Sequence, residues 1–118
     1  MKKTLLIFTT LVLSQLVYVS VSFGSETLSG EQIKDLIVGK TIDGINKKGV
    51  PFQRTFYEDG KAIRLKKGTE RNESWAIKQN KLCRTSPGKE NCATIKSSGD
   101  KYFALGKKGS TVYTFIVK

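Results

Sequence analysis

From Lys40 to the C-terminus the chain runs as short segments rich in β-branched and aromatic residues, broken at regular spacing by turn formers. An antiparallel meander writes this texture into a sequence. It predicts strands near 40–45, 51–58, 61–67, 73–79, 81–86, 89–96, 101–105 and 111–117, and loops near 46–50, 68–72, 97–100 and 106–110. Seven or eight strands this short would leave exposed edges in an open sheet, and closure removes them. The expected fold is therefore mainly β: a small antiparallel β-barrel, lipocalin-like or similar, with a small β-sandwich as the alternative.

Turn chemistry suggests registers. Taking Glu58-Asp59-Gly60-Lys61 as a two-residue hairpin pairs Phe56 with Ile63 and Arg54 with Leu65, so that Phe52, Phe56, Ile63 and Leu65 share a core face. A Gln79-Asn80 turn pairs Ile77 with Leu82 and Trp75 with Arg84, which turns Trp75, Ile77 and Leu82 inward. The last strand, TVYTFIVK, has apolar residues on both faces, so it lies inside the sheet or closes it against Thr41 and Ile42.

A Pro87-Gly88 turn pairs Ser86 with Lys89 and sets Cys83 opposite Cys92. As a non-hydrogen-bonded pair their Cα atoms would lie roughly 4.5 Å apart, within the span of a disulfide. With Leu82 inward, both cysteines fall on the outer face beside Lys81 and Thr94. Two cysteines without histidine are too few for a zinc site, and their spacing is not that of a redox pair. The lack of histidine also excludes Ser-His-Asp and Cys-His catalysis. Glu58, Asp59, Glu70 and Glu73 read as solvated turn residues, and Asp43, before Gly44 in a predicted strand, is a single acid without a partner. No catalytic residue, metal or cofactor is expected, and the chain is not read as an enzyme.

Ahead of the strands, ETLSGEQIKDLIVGKT carries helix punctuation: Ser29 as N-cap with Gln32 in a capping box, Leu28 and Ile33 as a hydrophobic staple, and Gly39 as terminator. A short helix over about 30–38 would cover one end of something larger. Residues 1–24 read as a secretory signal peptide, with Lys2 and Lys3 before an uncharged apolar run from Thr4 to Val21. Residues 25–118 then form one domain, periplasmic or secreted, with no stable membrane span after cleavage and a monomeric or weakly dimeric state. Export and an even cysteine count agree with a disulfide.

The chain carries a formal charge of +11. Much of the excess sits in lysine pairs beside glycines, at Lys47-Lys48-Gly49, Lys66-Lys67-Gly68 and Lys107-Lys108-Gly109. These read as turns facing water, and as a surface attractive to polyanions. Nucleic acid is not expected as the partner of an exported protein. Arg54, between Phe52 and Phe56, and Arg84, opposite Trp75, break otherwise apolar faces. Two inward arginines could line a barrel mouth and hold an anionic group, with Trp75, Tyr57 or Tyr102 giving flat apolar contact. Alternatively both snorkel to water, with Arg84 stacked on Trp75.

The order LSGEQIKDLIVGKT, FYEDG, SWAIKQNKLC, a short turn, NC and GDKYFAL resembles small exported bacterial proteins assigned to domain-of-unknown-function families. In these a Gly-Lys-Thr segment precedes an aromatic-x-x-Asp-Gly hairpin, a tryptophan strand and a Leu-Cys…Cys hairpin. The resemblance covers most of residues 28–105 and departs from the pattern at Ser74, where members carry glycine. It implies no activity. The functional expectation is a non-catalytic binding or accessory protein of the cell envelope that engages an anionic envelope component or envelope protein. The alternative is an inhibitor of a secreted or periplasmic hydrolase, an argument from fold analogy.

Overall fold

The structure, a computed structural model, describes residues 26–118; the expected signal segment, 1–24, lies outside them. In chain order the elements are β1 (Glu26–Thr27), α1 (Gly30–Ile37), β2 (Thr41–Asn46), β3 (Pro51–Phe56), β4 (Lys61–Lys66), β5 (Thr69–Lys78), β6 (Lys81–Ser86), β7 (Lys89–Ser98), β8 (Lys101–Leu105) and β9 (Thr111–Val117). Each of β2 to β9 pairs antiparallel with the next, and β9 returns to β2 with Ile42 opposite Val117 and Gly44 opposite Phe115. The result is a closed eight-stranded up-and-down barrel, not a sandwich, in which β1 adds a short pairing to β7.

An up-and-down path sends alternate turns to opposite ends. The turns at 58–60, 79–80 and 99–100 gather at one end, where α1 sits. Ser29 caps α1 in a complete capping box with Gln32, and the Gly30 N–H donates to Asn80 Oδ1 at 2.7 Å, tying the helix to the β5–β6 turn. Ile33 and Ile37 are fully buried with Phe56, Ile42, Leu82 and Ile95, so the helix plugs this end with apolar side chains. Gly39 adopts φ +73° after the helix, and its N–H donates to the Phe56 carbonyl.

One expected register is overturned. The β3–β4 loop has three residues, not two: the Tyr57 N–H donates to the Lys61 carbonyl, and Gly60 takes φ +94°. This is a type I turn ending in a left-handed residue, which glycine enters without a Cβ penalty. The extra residue slides β4 by one position, pairing Phe56 with Ala62 and Arg54 with Arg64. Since side chains alternate across a strand, Ala62 and Arg64 turn inward, while Ile63 and Leu65 leave the expected core face for the outer wall. The β5–β6 register is as expected, with Trp75 opposite Arg84 and Ile77 opposite Leu82.

Cys83 and Cys92 are directly opposite, 3.9 Å apart at Cα, and joined as a disulfide. Leu82 and Ala93 point inward, so the bond lies on the outward side; Cys83 is nevertheless buried there, with 2% exposed. Replacing both cysteines by serine should lower unfolding stability by about 2–3 kcal/mol, the loop-closure entropy of a ten-residue ring. Urea melts of the oxidised protein and of the double variant measure this. Two free thiols by mass after alkylation of the unreduced protein would refute the bond.

Candidate functional site

The inward positions divide the lumen in two. Toward α1 they are apolar. Toward the open end they carry Arg54 on β3, Arg64 on β4, Arg71 and Glu73 on β5, and Arg84 on β6, with Tyr113 of β9 across from them. Register aligns three of the arginines: Arg54 faces Arg64, and Arg64 faces Arg71. Like charges directly opposite on neighbouring strands repel. Four guanidinium groups are answered here by one carboxylate.

That carboxylate is Glu73, whose side chain is fully shielded from solvent. Arg54 Nε donates to Glu73 Oε1 at 2.8 Å, Arg71 Nη2 donates to Oε2 at 3.1 Å, and Arg84 Nη1 lies 3.6 Å from Oε2. Burial alone would raise the Glu73 pKa; Arg54, Arg71 and Arg84 outweigh it and hold the carboxyl below its ordinary value. Arg54 is only 3% exposed, and its guanidinium lies over the Phe52 ring at 4.9 Å and near the Tyr113 ring at 5.8 Å. Burial, with the charge of Arg84 adding to it, lowers the Arg54 pKa against the pull of Glu73. A guanidinium nonetheless keeps its proton at neutral pH.

Phe52 reaches this position because residue 44 is glycine. A Cβ at Gly44 would fall into the Phe52 ring, so the missing side chain lets the ring lie flat across β2, edge-to-face with Tyr113 at 5.5 Å. Four shielded polar atoms of the cluster have no hydrogen-bond partner among the described residues: Arg54 Nη1, Arg64 Nε, Arg71 Nε and Tyr113 Oη. Buried donors are normally satisfied, because leaving one unpaired costs about 1–3 kcal/mol.

Around this open end stand the other four turns, and they bring Lys47, Lys48, Lys66, Lys67, Lys89, Lys107 and Lys108 to one rim. The neighbouring charge of Arg64, then desolvation, then Arg71, Lys67 and Lys48, lower the pKa of Lys66. The lysine pairs are thus one basic ring around the arginine-lined lumen. A recess of about 550 Å³ between the β6–β7 and β8–β9 turns is lined by Lys47, Lys89, Lys107 and Lys108, with Glu90, paired to Lys78, also on its wall, and reaches Arg84 and Tyr113.

The expected site residues fare unevenly. Arg54 and Arg84 both point inward and meet at Glu73 and Tyr113. The aromatic ring beside Arg84 is that of Tyr113, at 5.8 Å. Trp75 packs edge-on against Phe56, and its indole N–H donates to the Tyr57 carbonyl at 2.9 Å, so these residues buttress the β3–β4 turn at the helix end. Tyr57 is exposed there, and Tyr102 stacks on Phe115 at 5.2 Å. Glu73, expected as a solvated turn residue, is instead the buried counter-charge, because β5 begins at Thr69 and carries it four residues into the strand. Asp43 accepts a hydrogen bond from Gln53 Nε2 at 3.0 Å, a cross-strand pair.

Arg64, Arg71 and Tyr113 were not among the expected site residues. The signal for the two arginines lay in the turn: Glu58-Asp59-Gly60 has the same shape as Lys47-Lys48-Gly49 and Lys107-Lys108-Gly109, three-residue loops that end in a left-handed glycine. No described helix is long and apolar enough to cross a membrane. Comparison with family models, curated proteins and solved structures finds no match to this chain, so the lumen geometry carries the functional argument alone.

Proposed function

We propose that this protein is an exported, non-catalytic binding barrel of the cell envelope that captures an anionic ligand through its open, basic end. The observation that carries this is the charge imbalance of the lumen, where Arg54, Arg64, Arg71 and Arg84 converge with only Glu73 to answer them. An apolar core would serve the fold as well or better than a partly neutralised ionic cluster. Such a cluster is therefore retained at a cost to stability, and binding an anion would offset that cost. The lysine rim adds a long-range field that draws anions to the mouth.

Among the described residues Glu73 is the only acid of the cluster, and its two oxygens accept hydrogen bonds from Arg54 and Arg71, so within the cluster no carboxylate is left free to act as acid or base. A hydrolase inhibitor needs a loop or terminus that protrudes into its target. The connections of the barrel are turns of a few residues, which favours the anion reading over that alternative.

The oxidised protein should be retained on an immobilised sulfated polysaccharide at low salt and be released steeply as salt rises, because its contacts are screened charges. Elution that does not depend on salt, or no retention at all, would remove the reading. So would recovery of a single envelope protein that stays bound in 1 M salt, as expected for an inhibitor.

A further inference from the structure

We infer that the lumen holds a seat for a phosphoryl group, a terminal phosphate monoester, built by Arg64, Arg71 and Arg84 with Tyr113 and with Arg54 at its base. This inference rests on the anion-binding function proposed above and specifies the chemistry of its ligand. Three observations support it. The unpaired donors are guanidinium N–H groups of Arg54, Arg64 and Arg71 and the hydroxyl of Tyr113, shielded from solvent on β3, β4, β5 and β9. They therefore approach the lumen from several sides of the wall. A carboxylate offers two oxygens in one plane, and Glu73 already occupies that role against Arg54 and Arg71. A phosphoryl group offers three oxygens around an axis and up to two charges, which matches donors arriving from around a barrel and the cationic excess of the cluster.

The residue types agree. Arginine forks give directed, paired hydrogen bonds to phosphate, whereas lysine acts as a mobile point charge. Here the arginines are inside and the lysines are at the rim, the arrangement expected when the rim attracts and the lumen selects. The row Arg54, Arg64, Arg71 on adjacent strands is repulsive without a counter-ion, so Arg64→Gln should fold at least as stably as the parent protein. The recess at the rim reaches Arg84 and Tyr113, two of the five residues of the seat.

The test is isothermal titration of the oxidised protein at fixed ionic strength, in buffer without phosphate or sulfate. The soluble probes are glycerol 3-phosphate and malate, a dicarboxylate counterpart of nearly equal charge at neutral pH. The lipid probes are vesicles carrying phosphatidic acid, a phosphate monoester, or phosphatidylserine at equal surface charge. The expected result is at least tenfold tighter binding of the monoester over its counterpart in one of the two formats. Preference among soluble probes assigns a free phosphate ester, and preference only among vesicles assigns a lipid headgroup.

Arg64→Gln and Arg71→Gln should each weaken that binding at least tenfold, while Lys107→Gln with Lys108→Gln should weaken monoester and counterpart by the same factor and leave the preference between them intact. Arg71 is partly exposed, so its variant keeps the test valid should Arg64→Gln fail to fold. Equal binding of monoester and counterpart, or binding that responds to the lysine variants and not to the arginine ones, overturns the phosphoryl seat and leaves the general anion function standing. Absence of binding to every anion overturns both.

Discussion

Glu73→Gln should destabilise the protein by about 3–5 kcal/mol, the cost of removing one partner from a buried ion pair. The substitution keeps the shape and one acceptor oxygen, while it removes the charge and turns the other acceptor into an amide donor facing a guanidinium. Arg54 is then a nearly inaccessible cation facing Arg64 and Arg84 with no counter-charge. For a domain of this size the change is a large part of the total stability, and a melting midpoint lower by more than about 10 °C is expected. Unfolding in chloride buffer, free of anions that could enter the cluster, measures it. A loss below about 1 kcal/mol would show that solvent, and not Glu73, neutralises the lumen.

Arg54→Met together with Glu73→Gln should recover most of the loss, because a vacated ion pair filled by an apolar side chain is near neutral. The pH dependence has a fixed sign. The folded pKa of Glu73 is depressed, so its contribution is fully present above the unfolded value of about 4.3 and disappears as pH falls through the folded value. The gap between the parent protein and Glu73→Gln should therefore be constant near neutrality and narrow on acidification below about pH 4.

Much of this architecture is legible in the residues. Turn formers at regular spacing announce seven or eight strands, the Ser29 to Gln32 box announces the helix, and Pro87-Gly88 sets Cys83 against Cys92. Arg54 and Arg84 also declare themselves as charges on apolar faces. What remained hidden is two-dimensional. Whether Arg64 points in or out depends on a single residue in the loop before it, and whether Glu73 is solvated depends on where β5 begins. Local propensity is nearly indifferent to both, and the decision falls to closure, which requires each strand to present its packing face to one lumen. The pairing of β9 with β2, which brings Tyr113 toward the arginines of β3 and β6, is set only when the barrel closes.

Phe56→Ala should lose about 3–5 kcal/mol, the range for removing a buried aromatic ring. Phe56 is fully buried where the helix plug, the Trp75 ring and the β3–β4 turn converge, and its backbone bonds to Lys40 and Gly39 join α1 to the barrel. The three-residue turn opposes this large ring to Ala62, which is 1% exposed, and sends Ile63 to the outer wall. Small against large is what a closed lumen needs, since interior packing leaves no spare volume. The same geometry fixes two contrasting effects. Ala62→Ile should cost about 1–3 kcal/mol by overpacking, while Ile63→Ala should cost less than about 1 kcal/mol. With a two-residue turn the order would reverse, because Ile63 would face Phe56 in the core and Ala62 would face water. Urea midpoints of the three variants decide between the registers, and with them whether Arg64 lines the lumen at all: an inward Ile63 would put Arg64 outside and dissolve the arginine row.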